Sequence, residues 1–279
     1  LADGGFDFEG IRAALEEDRD HEIRLVTIQR SKGYQTRRTL SVSQIGEAIA
    51  FIKSLRPDIA CMVDNCYGEF VERVEPSHAG ADMVVGSLIK NPGGGLALAG
   101  GYIVGRHDLI EAVSYRMTSP GIGKECGLTF GQSRSMFQGF FMAPSVVNGA
   151  VKGAILCAKV FEMLGYEVCP ASGDERSDII EAVRLRSPEA MEAFCRGIQS
   201  AAPVDSFVTP LPWDMPGYED QVIMAAGAFV QGSSIELSAD GPLRDPYIVY
   251  FQGGLTYEHS KYGVIKAVQA LYDAGLLKI

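Results

Sequence analysis

The sequence predicts an α/β fold, with a smaller α+β portion toward the carboxyl end. Three observations carry this prediction. β-Branched runs alternate with helical periods over residues 7–64, the rhythm of β-α-β units with right-handed crossovers. Two apolar runs, residues 59–63 and 82–85, each lead to an ionisable group: Asp64 in the first case, and Lys90 in the second by way of Gly86 and Ser87. After a long helical stretch ending at Gly165, the order of elements becomes mixed.

The chain is taken here from its amino end. Residues 7–18 read as an Asp-capped helix with Phe8, Ile11, Ala14 and Leu15 at helical spacing. Residues 23–29 read as a strand, succeeded by the polar loop Arg30-Ser31-Lys32-Gly33-Tyr34. Ser41 or Ser43 caps the next helix, whose apolar stripe is Ile45, Ala48, Ile49 and Ile52. Arg56-Pro57-Asp58 stops it, and residues 59–63 form the next strand. Residues 65–81 read as loop, 82–86 as the lysine strand, and 94–105 as a glycine-rich strand returning antiparallel beside it. A short helix over 107–113 and a long loop over 117–135 precede a helix over 136–165, entered or kinked at Pro144. Residues 166–170 and 178–185 read as strands and 188–200 as a helix with Pro in its first turn. Residues 221–230 and 233–238 read as a hairpin across Gln231-Gly232, and 259–276 as a terminal helix. The division expected is residues 1–165 for the larger domain and 166–279 for the smaller one.

Composition narrows the partners. The net charge is −10, and the densest positive cluster is only Arg30, Lys32, Arg37 and Arg38, which argues against nucleic acid. No apolar run reaches the roughly 18 residues of a membrane span. Residues 141–166 are interrupted by Lys152, Lys159 and Glu162. Six cysteines without C-x-x-C spacing read as reduced thiols in a cytoplasmic protein, and four dispersed histidines give no metal site. Neither glycine-rich nucleotide-phosphate signature is present.

The chemistry centres on Asp64 and Lys90. Open α/β sheets place ligands at the carboxyl ends of their strands. A lysine there can form a Schiff base with pyridoxal phosphate (PLP), and a carboxylate can hold the pyridine nitrogen protonated. Burial would help Lys90 lose its proton, and the Asn-Pro-Gly-Gly-Gly run after it would let backbone approach a ligand. Ser87, three residues before Lys90, is a candidate for the cofactor phosphate. Tyr67 and Glu69 either shape the pocket or serve packing. Arg30 and Tyr34 either line the substrate side or belong to an ordinary solvated loop. Arg244 either binds a substrate carboxylate or pairs with Asp240 or Asp245.

Four segments together resemble a family: residues 28–34, the stretch from Val63-Asp64-Asn65 to Phe70, the Ser87-x-x-Lys90 loop through Gly94, and residues 252–257. They are similar to fold-type I PLP enzymes of cysteine and methionine metabolism. More closely, they are similar to the bacterial methionine gamma-lyase-like, aluminium-resistance proteins. The resemblance implies a PLP-transferase-like large domain and PLP bound covalently to Lys90. It also implies an arginine such as Arg244 on the substrate carboxylate. The expected reaction is α-proton abstraction and β/γ elimination from a sulfur-containing amino acid, in a homodimer or homotetramer. An aminotransferase, or a PLP-binding stress-response protein with little catalysis, are the alternatives. The glycine-rich phosphate loop and the ring-stacking aromatic residue of such enzymes are expected in a portion upstream of Leu1.

Overall fold

The computed structural model describes residues 4–117 and 119–277. Helix α1, Phe8–Glu17, starts where the Asp7 carboxylate accepts from the Gly10 amide at 3.0 Å. Strands β1 (Leu25–Gln29), β2 (Ala60–Asp64), β3 (Met83–Ser87) and β4 (Gly101–Gly105) form one sheet in the order β1-β2-β3-β4. The first three strands are parallel, and β4 returns antiparallel to β3, pairing Ser87 with Gly101.

Helix α2, Val42–Leu55, makes the crossover from β1 to β2. Ser41 and Gln44 form a reciprocal capping box at its start. Its stripe of Val42, Ile45, Ala48, Ile49 and Ile52 is buried against Ile28, Cys61, Val63 and Val84. Each large apolar side chain so enclosed contributes roughly 1.5–3 kcal/mol. The parallel register sets Gln29 beside Asp64 and Asp64 beside Val85, so the strand ends converge on one edge.

The second sheet is antiparallel, in the order β5-β6-β9-β8-β7. Its strands are β5 (Glu167–Cys169), β6 (Ile180–Arg184), β7 (Val222–Ala225), β8 (Ser238–Pro242) and β9 (Ile248–Gln252). Helices α5 (Pro188–Ser200) and α6 (Tyr257–Asp273) pack together with this sheet around Phe161, Phe194, Ile198 and Phe251. Helix α3 is His107–Met117. Helix α4, Ser133–Met163, is long and apolar enough by composition to cross a membrane, but it buries Ala143, Val147, Ala150, Ala154, Cys157 and Phe161 inside this fold. A third cluster, with Val146, Val147, Ile179 and Tyr250 buried and Tyr34, Tyr67 and Phe70 against them, joins the two sheets.

Several expectations are corrected. The expected pairing of 221–230 with 233–238 does not form: β7 pairs instead with residues 239–242, Val222 opposite Pro242 and Ala225 opposite Ala239. The Glu236 carboxylate accepts from the Phe229 and Val230 amides and holds the intervening chain in a loop. The second strand therefore begins at Ser238. Strand β9, central in its sheet, is not foreseen by the periodicity. Strand β4 begins at Gly101, not Gly94, because residues 91–95 form a 3-10 turn and a left-handed bend. Helix α3 runs on to Met117, and the expected loop after it carries a 3-10 turn at Gly123–Glu125.

The glycines after Lys90 are also required by the protein's own backbone. A Cβ on Gly93 would lie 1.7 Å from the Leu88 carbonyl oxygen, and one on Gly94 2.5 Å from the Gly139 carbonyl oxygen of α4. They let the lysine turn seat against helix α4.

Candidate functional site

The converging strand ends open on a cavity of about 230 Å³. Asp64 and Lys90 both line it, as do Tyr34 and Tyr67. The first sheet thus supplies a carboxylate and an amine to one space, as the sequence predicts. The Cys66 amide donates to Asp64 Oδ1 at 3.1 Å and fixes the carboxylate at the mouth of its turn.

Lys90 Nζ lies 4.7 Å from the centroid of the Tyr67 ring, a cation–π placement. Burial alone would weaken its hold on a proton, but the Tyr67, Cys66 and Asp64 side chains around it outweigh burial and raise its pKa above the ordinary lysine value. This reverses the expectation that burial leaves Lys90 readily deprotonated. Tyr67 reaches this position through a backbone φ of 74°, a conformation that costs a bulky residue free energy. The cost is offset by Asn91, which is fully buried directly after Lys90. Its Nδ2 donates to the Tyr67 carbonyl at 3.0 Å and to the Glu69 carbonyl at 3.1 Å. The turn after Asp64 and the turn after Lys90 are therefore tied by one side chain.

Glu69 serves packing and does not line the cavity. Tyr102 Oη donates to its Oε1 at 2.8 Å, and burial pushes its carboxyl up to about 8. Ser87 closes β3 opposite Gly101 and lies outside the cavity walls.

Arg30 does not reach the substrate side. Its side chain is fully enclosed and donates to the Leu40 carbonyl at 3.1 Å, to Asn65 Oδ1 at 2.6 Å and to Glu72 Oε1 at 2.5 Å. It braces the back of the Asp64 turn. Arg244 lines a neighbouring cavity of about 250 Å³, which shares Tyr34 and Tyr250 with the first. Its Nη1 is 3.3 Å from Asp220, so neither Asp240 nor Asp245 is its partner.

The second sheet contributes a group that sequence reasoning does not single out as a site residue. Asp240, on β8, lines the Lys90 cavity. The Tyr34 hydroxyl donates to its Oδ2, and Gln252 Nε2 to its Oδ1 at 3.3 Å. Burial pushes its carboxyl up to about 6, against the pull of the Tyr34 hydroxyl. The signal is hidden because Asp-Gly-Pro reads as a turn, not a strand.

Lys90 and Asp64 on one cavity suit the aldehyde and ring nitrogen of PLP, an amine for the first and a carboxylate for the second. Among the described residues no cluster of His, Cys, Asp or Glu suits a metal ion.

Comparison with known proteins extends the likeness over the chain. A profile of the family described as methionine gamma-lyase matches residues 1–272. The uncharacterized protein YnbB of Bacillus subtilis (strain 168) is 51% identical over 99% of this chain and 64% of its own length. An uncharacterized 33.9 kDa protein of Lactobacillus delbrueckii subsp. bulgaricus is 48% identical over 97% of this chain and 87% of its own. Among solved structures, a carbon-sulfur lyase involved in aluminum resistance from Clostridium novyi NT superposes with a TM-score of 0.91 at 52% identity, over 96% of this chain and 62% of that one. The chain thus spans somewhat under two thirds of the Bacillus and Clostridium proteins. Apo CalE6, a methionine gamma lyase from Micromonospora echinospora, shares the fold at a TM-score of 0.59 and 17% identity, over 94% of this chain and 66% of that one.

Proposed function

The chain belongs to the methionine gamma-lyase family, and from that premise we propose that it is part of a PLP-dependent carbon-sulfur lyase acting on a sulfur-containing amino acid. One observation carries the reading: Lys90 and Asp64, delivered by neighbouring parallel strands, face the same cavity. PLP, when bound, supplies an electron sink for the charge left at the substrate's Cα. Lys90 would hold the cofactor and, once freed, accept the α-proton, and Asp64 would keep the ring nitrogen protonated. Tyr67 keeps the Lys90 amine aimed into the cavity. Arg244 is assigned to a substrate carboxylate reached through the shared wall of Tyr34 and Tyr250.

Residues 1–165 would belong to the cofactor-binding domain and 166–279 to the small domain. A homo-oligomer suits the exposed Leu128, Phe130, Phe137 and Phe141.

The purified protein supplied with PLP should show the visible absorbance band of a lysine-bound cofactor. After borohydride reduction, mass spectrometry should find the cofactor on the Lys90 peptide. Lys90→Ala should lose both signals, and retention of the label elsewhere would overturn the assignment. Incubation with sulfur amino acids should release ammonia and an oxo-acid without an added acceptor. A strict need for an oxo-acid acceptor would make the protein an aminotransferase instead.

A further inference from the structure

The cavity that holds Lys90 carries more negative charge than the proposed chemistry uses. Asp64 and Lys90 are both assigned, but Asp240 is not. It enters the cavity from the other sheet, and its hydrogen-bond partners are the neutral Tyr34 hydroxyl and Gln252 amide. Among the described residues no Lys, Arg or His lies in ion-pair contact with it. Asp240 is half-buried, and a carboxylate partly withdrawn from water without a counter-ion is one that a cationic ligand can complete.

Aromatic rings line the same cavity. The Tyr34 ring centroid is 5.5 Å from that of Tyr218 and 5.3 Å from that of Tyr250, and all three rings line the cavity. Tilted tyrosine rings beside a carboxylate present negative π-faces and a negative charge to one space. That combination selects weakly hydrated onium cations over neutral groups of the same shape. Lys90 over Tyr67 already shows that this cavity accommodates a cation on a ring.

We infer that Asp240 and the rings of Tyr34, Tyr218 and Tyr250 form a receptor for a fully alkylated onium group, an ammonium or a sulfonium, on the substrate side chain. Arg244 cannot supply this function, because it is itself a cation and lies in the neighbouring cavity. As a statement about the substrate, the inference rests on the lyase reading above. As a statement about binding, it stands apart from it.

Two matched pairs test it. Choline and trimethylsulfonium, compared with the neutral choline isostere 3,3-dimethylbutanol, are titrated calorimetrically into the protein without PLP. The onium probes should bind at least about tenfold more tightly than the neutral one. Asp240→Asn should abolish the difference, whereas Lys90→Ala should keep it. Tyr218→Leu alters a ring on the surface side of the cavity and serves if Asp240→Asn does not fold. It should narrow the gap by weakening the cations alone. Equal affinity for charged and neutral probes, or a gap that survives in both Asp240→Asn and Tyr218→Leu, overturns the inference. Tighter binding of choline than of trimethylsulfonium assigns the receptor to ammonium, and the reverse assigns it to sulfonium; either order supports it. The second pair is methionine and its S-methyl sulfonium in the elimination assay. Onium binding without elimination of either compound would fail the lyase reading and leave the receptor standing. Equal elimination of both compounds without onium binding would do the opposite.

Discussion

Two ionisable groups drawn out of the surface near the Asp64 turn, Arg30 and Asp240, are treated in opposite ways. Behind the turn, Arg30 is enclosed with a full set of acceptors: a main-chain carbonyl, an amide oxygen and the Glu72 carboxylate. In front of it, Asp240 faces a cavity with only neutral donors. Arg30 has left bulk water entirely, and Asp240 is half-buried. The first is electrically complete and works as scaffold, while the second is incomplete and faces the space where a ligand would sit. Charge type and strand position alone would rank Arg30 the better candidate, but the partners of each group reverse that ranking.

The largest effect should come from removing the completed charge. Arg30→Ala takes the donor from the Asn65 oxygen and leaves Glu72 only the Val42 amide, and should cost about 3–5 kcal/mol in urea unfolding. Asp240→Asn should cost far less or be neutral, since no ion pair is lost. Equal losses from the two substitutions would break the contrast.

A smaller effect should come from Glu69, which binds its proton more tightly in the fold, with a pKa of about 8, than its ordinary value of 4.5 allows in the unfolded chain. Its contribution to stability is present in full below about 4.5 and is lost as the pH rises through about 8. Glu69→Gln should flatten this fall. It should recover at least about 1.4 kcal/mol above that window, the worth of one tenfold change in proton affinity. Thermal melts of both proteins across the window check the sign, and a parallel decline in each would place the titrating group elsewhere.

The smallest effect on stability belongs to Arg244. Its partner Asp220 is also exposed, so Arg244→Ala should change unfolding by less than about 1 kcal/mol. In the same variant KM should rise for substrates with a carboxylate while the melting curve stays in place. A large loss of stability would move Arg244 to the scaffold side of the comparison.

The first sheet is readable from sequence because its strands are bounded by polar turns and separated by a helix with a clear stripe at Ile45, Ile49 and Ile52. Asp64 and Lys90 stand out for the same reason, since each comes after an apolar run. The second sheet is less readable. Strand β9 has only four apolar residues before Gln252, too short a run for periodicity to classify. Strand β8 contains Asp-Gly-Pro, which local propensity assigns to a turn, and Asp240 is lost with it. Arg30 is misplaced by sequence reasoning because its enclosure depends on Asn65 and Glu72, which lie 35 and 42 residues further along the chain.

Asn91 has a mechanical consequence. The residue after Lys90 grips the carbonyls of Tyr67 and Glu69, so the amine and the ring beneath it ride on one stiff part. The Lys90 turn cannot swing away alone; it must carry the Asp64 turn in the same direction. Such a site can slide as a block but cannot splay, which keeps the spacing between amine and carboxylate nearly constant while everything around them moves.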